Sequence, residues 1–305
     1  MLIANYINGN ATVNLYSDGT RVIEYDDKLS LDMALNIDIR VSTKCSFGAK
    51  DDGTPGFCSF CHESALQNGK ECDYAVLMSK LEDLPKGIEL AIGANQITLN
   101  LVIFLQWAKL MGFIVNLTVN QGHLKRDLSL IKQCIDFDII KGLGVSYRGG
   151  LKWDVPQEIL NYPNTVFHVI AGIDTFAEVE ALAGKGVKKV LVLGYKTFGY
   201  GVNYFNSNTD SVTRNIEQWF WWVHKLFNQF QAVSFDNLAL VQLRIQRFFT
   251  DENWGVFNQG EHSFFVDSVN GFYHPSSRSN EKTDWNKKNI FEYFKNLEKN
   301  AETRN

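Results

Sequence analysis

Between residues 35 and 200, short β-branched apolar runs alternate with segments of helical periodicity. The apolar runs predict strands at 36–43, 88–92, 114–119, 139–146, 165–171 and 189–193. The segments between them predict helices near 62–80, 98–111, 124–134, 154–161 and 175–184. Strands that alternate with helices are typical of a parallel sheet with right-handed crossovers. Six such units fall short of a closed eight-unit barrel, so the pattern predicts an α/β fold with a partial (β/α)6 TIM-type barrel.

The two ends of the chain follow other patterns. Alternating residues over 5–25, with a turn at 17–19, predict a short N-terminal β-hairpin. After residue 201 the predicted elements are a long helix over 209–230, a second helix over 236–249, a hairpin around 263–275 with Asn270-Gly271 at its turn, and a terminal helix after residue 280. We interpret residues 1–34 as the hairpin, 35–205 as the barrel core and 206–305 as a C-terminal α/β cap, all in one continuous unit.

Composition narrows the class of protein. The chain has 305 residues, of which 45% are hydrophobic and 21% charged, and this excludes an intrinsically disordered protein. Its net charge of −4 lacks the basic excess that binding duplex nucleic acid requires. The most apolar stretch, 99–119, is interrupted by Gln106, Lys109 and Asn116, so no membrane span is expected. The N-terminus lacks the features of a signal peptide, and we expect a cytoplasmic protein.

Three of the five cysteines form a motif. Cys45, Cys58 and Cys61 follow the first predicted barrel strand with the spacing C-x12-C-x2-C, in a loop rich in Gly, Asp and Pro that can fold back on itself. Such a loop can hold three irons of a [4Fe–4S] cluster and leave the fourth iron open. It can equally form a structural zinc site with His62 as fourth ligand, although adjacent Cys61 and His62 would form an unusual chelate. The spacing alone leaves both interpretations open.

The other two cysteines, Cys72 and Cys134, stand alone on predicted helices. Free cysteine is among the most buried residue types, so we expect both to be buried structural residues.

The cysteine loop resembles that of the radical SAM superfamily. Its members carry three cysteines after the first strand of a partial (β/α)6 barrel, with an aromatic residue before the last cysteine, and Phe60 occupies this position. The usual spacing is C-x3-C-x2-C, so this chain carries an apparent insertion around 49–56. The sequence Cys61-His62-Glu63 is also similar to that of poorly characterised members with a single cluster, some of them encoded by bacteriophages.

Segments at the ends of the later strands resemble, in order, the superfamily's segments that bind S-adenosyl-L-methionine (SAM). Gly93-Ala94-Asn95 is similar to the Gly-Gly-Glu segment whose backbone holds the methionine amino group, with Asn95 in the acidic position. The resemblance further implies contacts to SAM from Asn120 on the polar face of the third strand, from Ser146 to its ribose or carboxylate, from Ile170 and Gly172 to its adenine, and from Gly194, Tyr195 and Lys196 to the adenine edge.

The resemblance implies an enzyme that uses a [4Fe–4S] cluster to cleave SAM to a 5′-deoxyadenosyl radical, which abstracts hydrogen from a substrate. A flavodoxin- or ferredoxin-like protein would supply the electron. Two cysteines remain outside the motif, too few for a second cluster domain, and the residues before the first barrel strand are too few for a peptide-recognition domain. A small-molecule or nucleotide substrate is therefore favoured. Modification of a peptide or protein is the enzymatic alternative, and a zinc-stabilised, non-catalytic α/β binding protein is the alternative of another class.

Three further features have two interpretations each. His168, on the fifth predicted strand, is expected to act in proton transfer or to be a hydrogen-bonded interior residue. The aromatic run 219–222 is expected either in the core, which we favour, or along a substrate cavity. Asp267 and the pair Ser276-Ser277 are candidates to cover the barrel mouth, with ordinary loop chemistry as the alternative.

Overall fold

The computed structural model describes residues 1–254 and 263–302 and contains two sheets. The first is a small antiparallel sheet in the order β1-β2-β3, formed by β1 (Leu2–Asn8), β2 (Ala11–Tyr16) and β3 (Arg21–Tyr25). The predicted N-terminal hairpin is therefore a three-stranded sheet. The turn between β2 and β3 lies where it was predicted. The prediction missed β1, which joins β2 through a tight turn at Gly9 with a φ of 61°.

The second sheet has ten strands and contains the predicted strands. Its strands are β4 (Asn36–Arg40), β6 (Glu89–Gly93), β7 (Ile114–Asn120), β8 (Gly142–Ser146), β9 (Thr165–Ile170), β10 (Lys189–Leu193), β11 (Ala232–Phe235), β12 (Ser263–Asp267), β13 (Phe272–His274) and β14 (Thr283–Asp284), while β5 (Lys44–Ala49) lies outside it. The order is β11-β10-β9-β8-β7-β6-β4-β12-β13-β14, and the pairing is parallel from β11 to β12 and antiparallel beyond.

The described part of the chain contains nine α-helices, most of which connect the parallel strands. They are α1 (Tyr74–Leu81), α2 (Leu99–Leu110), α3 (Leu124–Asp136), α4 (Gln157–Asn161), α5 (Phe176–Glu180), α6 (Tyr200–Trp222), α7 (Asn237–Gln242), α8 (Asp251–Trp254) and α9 (Ile290–Glu302). Side-chain caps mark their starts, as where Asp73 accepts from two backbone N–H groups of α1 and Thr175 forms a capping box with Glu178 in α5. Among the described residues, no helix is both long enough and apolar enough to cross a lipid bilayer.

Some predicted helix limits are wrong. The segment 62–72 is loop, and α1 begins only at Tyr74. The predicted helix 209–230 begins earlier, at Tyr200, has a kink at Asn208 and gives way to a 3₁₀ turn after Trp222. The predicted helix 236–249 breaks at Arg244, whose left-handed φ of 47° separates α7 from a second 3₁₀ turn.

The two faces of the parallel strands differ in composition. One face is apolar and buried beneath the helices, with side chains at most 2% exposed such as Ile37, Leu90, Leu117, Val145, Phe167 and Val192. The other face carries small and polar residues, among them Asp38, Ala91, Thr118, Ser146 and His168. This alternation gives the helices a continuous apolar surface and turns the polar row toward a cavity. The polar inner face predicted from Asn116, Thr118 and Asn120 is part of this row.

The C-terminal part extends the sheet instead of capping it. Strand β11 follows α6 and adds to one edge in parallel, and β12 pairs in parallel with β4 on the other side. The predicted hairpin with Asn270-Gly271 at its turn is confirmed as β12 and β13, and Gly271 has a φ of 77°. In the described ranges the sheet is open, because β11 and β14 end it and do not pair with each other. The fold is thus α/β with a large, mostly parallel sheet.

Candidate functional site

A cavity of about 420 Å³ lies where the carboxyl ends of the parallel strands meet the loop that carries the three cysteines. Ligand sites of open parallel sheets occur at this edge, and the volume is that of a small-molecule site. The predicted site residues that line it are Cys45, Cys58, Phe60, Cys61, Gly93, Ala94, Asn95, Asn120, Ser146, Ile170, Gly194, Tyr195 and Lys196. Gly172 is the predicted residue that does not line it.

The loop after β4 folds back so that its cysteines reach one cavity. Cys45 lies on β5, and the N–H of Cys58 donates to the carbonyl of Phe47 at 3.1 Å. Gly56 makes this close approach possible, because a Cβ there would collide with the backbone of Phe47. All three thiols are free, and burial raises the pKa of Cys45 and Cys61. In the part of the chain that the structure describes, no three His, Cys, Asp or Glu side chains converge to hold a single metal ion.

Cys72 and Cys134 lie away from the cavity. Both are buried free thiols, and burial raises the pKa of each to about 11. They are inert structural residues in this environment, as the sequence predicts.

Arg148 is a cavity residue that the sequence analysis missed. Its Nε donates to Cys58 Sγ at 3.2 Å, and its guanidinium carbon lies 5.6 Å from the centre of the Phe60 ring. No carboxylate among the described residues is within ion-pair distance of it. The sequence did contain a signal for Arg148. It follows Ser146, a predicted site residue at the end of β8, by two residues. Arg148 therefore places a positive charge beside one thiol of the loop.

At the strand ends next to the cysteine loop, the backbone is accessible from the cavity. Gly93 faces free space, since a Cβ there would meet no atom within 4 Å. The Asn95 side chain donates to the carbonyl of Ser42 at 3.4 Å, and Asn120 accepts from the N–H of Gly122 at 2.9 Å. These amides hold the loops that surround the cavity while their residues still line it. A ligand can approach the backbone at 93–95 closely.

The end of β10 is held by α7. The N–H of Gly194 donates to Asp236 Oδ1 at 2.9 Å, and the N–H of Tyr195 donates to Gln242 Oε1 at 2.8 Å. These backbone donors are engaged inside the protein. The predicted contact of 194–196 with a ligand therefore depends on the remaining atoms of these three residues.

Gly172 packs against α6. Its φ is 104°, and a Cβ there would lie 3.2 Å from side-chain atoms of Val212 and Ile216. Its carbonyl accepts from Asn215 of the same helix at 3.3 Å. The glycine predicted to approach the adenine instead lets a helix approach β9 closely.

A chain of charged side chains lines one side of the cavity. Arg40 on β4 forms ion pairs with Asp267 of β12 and, at 3.1 Å, with Glu63. Nε2 of His62 lies 3.1 Å from Glu63 Oε1 and 3.3 Å from Lys196 Nζ. Burial lowers the pKa of His62. For Glu63, burial acts to raise the pKa, but the His62 hydrogen bond and the charges of Arg40 and Lys196 outweigh it and lower the pKa. These contacts between charged side chains connect the cysteine loop to β12.

The remaining candidates separate clearly. His168 lines the cavity beside Gly144, and desolvation, helped by the charges of Arg148 and Lys196, lowers its pKa to about 4, so the ring is neutral near pH 7. Trp219 is buried and donates from Nε1 to the carbonyl of Asp174 at 2.8 Å, whereas residues 221 and 222 are exposed. The core interpretation therefore holds for Trp219. Ser277 lines the cavity, as one of the two interpretations predicts.

Comparisons with known proteins support the fold. No protein-family model matches the chain, and no curated protein matches it in sequence. Among solved structures it is similar to Streptococcus suis SuiB, crystallised bound to the precursor peptide SuiA, with a TM-score of 0.56 and 13% sequence identity. The match covers 87% of this chain and 65% of SuiB, so the chain spans about 65% of the length of that relative. At this identity the likeness shows the fold.

Proposed function

We propose that this chain is a radical SAM enzyme. The observation that carries the proposal is that the three free thiols of one loop and the strand-end residues of β6 to β10 line a single cavity. In this proposal Cys45, Cys58 and Cys61 hold a [4Fe–4S] cluster. The likeness in fold to SuiB supports the class, and the lining of one cavity by residues of β4 and β6 to β10 supports a partial barrel.

The donor set fits a cluster better than a single ion. A [4Fe–4S] cluster takes each thiolate at a different corner, whereas zinc takes ligands that meet at one point at about 2.3 Å. The thiols line a common cavity without converging in that way within the described residues. Burial also favours their neutral form at Cys45 and Cys61, so a bound positive group is needed to keep the thiolates charged.

When bound, the cluster would supply one electron for cleavage of SAM to methionine and a 5′-deoxyadenosyl radical, which becomes 5′-deoxyadenosine by taking a hydrogen atom from the substrate. The protein's part is to bind, orient and exclude water. Gly93 to Asn95 and Asn120 form the wall next to the cysteine loop, and Ser146 and Ile170 follow on the next strands. Arg148 donates a hydrogen bond to Cys58 and adds positive charge there.

A peptide or protein is better supported as the substrate than a small molecule or nucleotide. The sequence alone favoured a small molecule or nucleotide. The fold is instead shared with SuiB, whose structure contains a precursor peptide, and this supports the peptide alternative. A flavodoxin- or ferredoxin-like electron donor and a cytoplasmic location complete the proposal, since free thiols and a reduced cluster suit a reducing compartment.

The test is anaerobic reconstitution with iron and sulfide, followed by dithionite and SAM. We expect slow formation of 5′-deoxyadenosine and methionine without added substrate, because cleavage needs only bound SAM, an open iron and an electron, and the resulting radical can take a hydrogen atom from the protein or the buffer. Chromatography of the quenched reaction measures both products. If a fully loaded, reduced protein yields no 5′-deoxyadenosine with or without cell extract, the proposal is wrong.

A further inference from the structure

Arg148 places its charge directly against one thiol of the cysteine loop. Its Nε donates to Cys58 Sγ at 3.2 Å, and its guanidinium carbon lies 5.6 Å from the centre of the Phe60 ring. All three residues line the cavity, and Cys58 is only 7% exposed. A charge in contact with a buried group is screened less by solvent and salt than a charge between exposed groups.

Several hydrogen bonds fix the position of this arginine. The backbone N–H of Arg148 donates to Gln121 Oε1 at 3.2 Å, and its Nη1 donates to the carbonyl of Tyr147 at 2.6 Å. The N–H of the same tyrosine donates to the carbonyl of His168 at 2.9 Å. The residue is therefore held at its backbone and at its guanidinium, with Nε directed at Cys58.

No carboxylate cancels the charge of Arg148. Within the described residues, none lies within ion-pair distance of it. Asp174 and Glu178 lie beside the following residue, Gly149, but each accepts a backbone N–H of its own segment, at 2.7 Å and 2.9 Å. The positive charge therefore acts on Cys58 without a neutralising partner.

We propose that Arg148 raises the reduction potential of the [4Fe–4S] cluster. The inference rests on the proposed function, because it takes Cys58 as a cluster ligand. Reduction transfers one electron from the reductant to the cluster and forms or breaks no bond, so it adds one negative charge beside Cys58. A hydrogen bond to the ligating sulfur and a nearby positive charge both stabilise this more negative state. Arg148 is a positioning residue in this role, since it acts through Cys58.

The test is the midpoint potential of the reconstituted cluster without SAM, measured by titration with dithionite and a europium(II) chelate and EPR detection of the reduced state. Arg148→Gln removes the charge and keeps a polar side chain. We expect it to lower the equilibrium constant for reduction about tenfold or more, which for a one-electron couple is a shift of about 59 mV or more to lower potential. Arg148→Lys keeps the charge but loses the planar fork, and is expected to recover part of the shift.

Lys152→Gln is the matched control. Lys152 is exposed and follows Arg148 by four residues in the same loop, so its replacement removes the same charge from the same segment. Solvent screens that charge, and we expect the equilibrium constant for reduction to change less than about twofold. An arginine that served only in packing would affect stability or iron content and leave the midpoint potential of the complete cluster unchanged.

The inference is overturned if fully loaded Arg148→Gln has the potential of the wild type or a higher one, or if Lys152→Gln lowers the potential as far. If Arg148→Gln does not retain the iron content of the wild type, Arg148→Lys carries the test and must lower the potential. Loss of the cluster in both variants also overturns the inference, because the arginine then serves assembly. A wild type that takes up no iron and sulfide defeats the proposed function, whereas a loaded wild type with an unchanged potential in Arg148→Gln defeats this inference alone.

Discussion

The same parallel strands end in two different environments. At their amino ends the small N-terminal sheet covers the polar row, and Arg21 of β3 pairs with Glu89 at the start of β6. Asn116 donates to the same carboxylate at 3.1 Å, and Asn164 donates to the carbonyl of Ser17 at 3.0 Å. Buried Asn8 donates to the carbonyl of Met33 and accepts from two backbone N–H groups. These polar groups have hydrogen-bond or ion-pair partners within the protein.

At their carboxyl ends the strands carry reactive and charged side chains that face a cavity. Three free thiols, the guanidinium of Arg148 and the side chains of Asp38 and Lys196 face one cavity. The two ends therefore use polar residues for different purposes, although both lie on the same face of the same sheet. Partnered polar groups stabilise the fold at one end, and incompletely partnered groups mark the site at the other. A change at one end is therefore expected to leave the other end intact.

The largest effect is expected at the cysteine loop. Replacing Cys45, Cys58 or Cys61 by alanine should abolish assembly of a complete cluster, because each thiolate holds a separate iron. Absorbance and iron content after anaerobic reconstitution measure this. Cys72→Ala and Cys134→Ala are the controls and should keep the cluster. A Cys72 variant that loses the cluster while the Cys45 variant keeps it would show that the ligands are assigned wrongly.

At the amino end, Asn8→Ala is expected to lower the free energy of unfolding by about 1–3 kcal/mol, because it leaves buried backbone groups without partners. Urea denaturation measures it, and iron content per folded chain should stay unchanged. Asn5→Ala, on the exposed face of β1, is the matched control and should cost under about 0.5 kcal/mol. Loss of the cluster in folded Asn8→Ala protein would contradict the separation of the two ends.

The pH dependence of the free energy of unfolding, measured without cofactors, tests the environment of His168 between the two ends of the strands. His168 has a pKa of about 4 in the fold against an ordinary value of 6.5, so the unfolded chain binds more protons between these values. Stability from this group is therefore present above pH 6.5 and lost as the pH falls toward 4. His168→Gln should remove that loss, about 1–3 kcal/mol across the window. Identical pH profiles of unfolding for wild type and variant would show that the ring is not buried as described.

The smallest effects are expected at the strand ends. Asn95→Ala and Ser146→Ala should each weaken SAM binding about three- to tenfold and leave the cluster absorbance unchanged, because neither supplies an iron ligand. Equilibrium dialysis with SAM measures this. Ser79→Ala, on the exposed face of α1, is the control. Unchanged SAM binding in both variants would move the SAM site away from β6 and β8.

The sequence predicted local features well and distant pairings poorly. The strands β4 and β6 to β10 were found because β-branched runs mark them, and the cysteine loop was found because its spacing carries a motif, whereas β5 within that loop was missed. The pairing of β12 with β4 was not predictable, since residues more than 200 positions apart in the chain, such as Ile37 and Phe264, meet there. Gly172 was assigned to the ligand because a glycine at a strand end serves equally for ligand approach and for helix packing.

The side chains of Arg148 and Lys196 show why the rest of the site needed a structure. A charge at a strand end is visible in the sequence, but its partners are not. Lys196 lies beside His62, and Arg148 lies beside Cys58, each from a segment far away in the chain. Whether a charge is paired inside the protein or left for a ligand follows from such distant neighbours.

We propose that a [4Fe–4S] cluster is held by Cys45, Cys58 and Cys61 at the carboxyl ends of the strands. The most direct test of this proposal is the content of iron, acid-labile sulfide and zinc per chain after anaerobic purification and reconstitution. The account predicts a brown protein with about four irons and about four sulfides per chain. A colourless protein that retains one tightly bound zinc and takes up no iron would contradict it and support the zinc-stabilised binding protein.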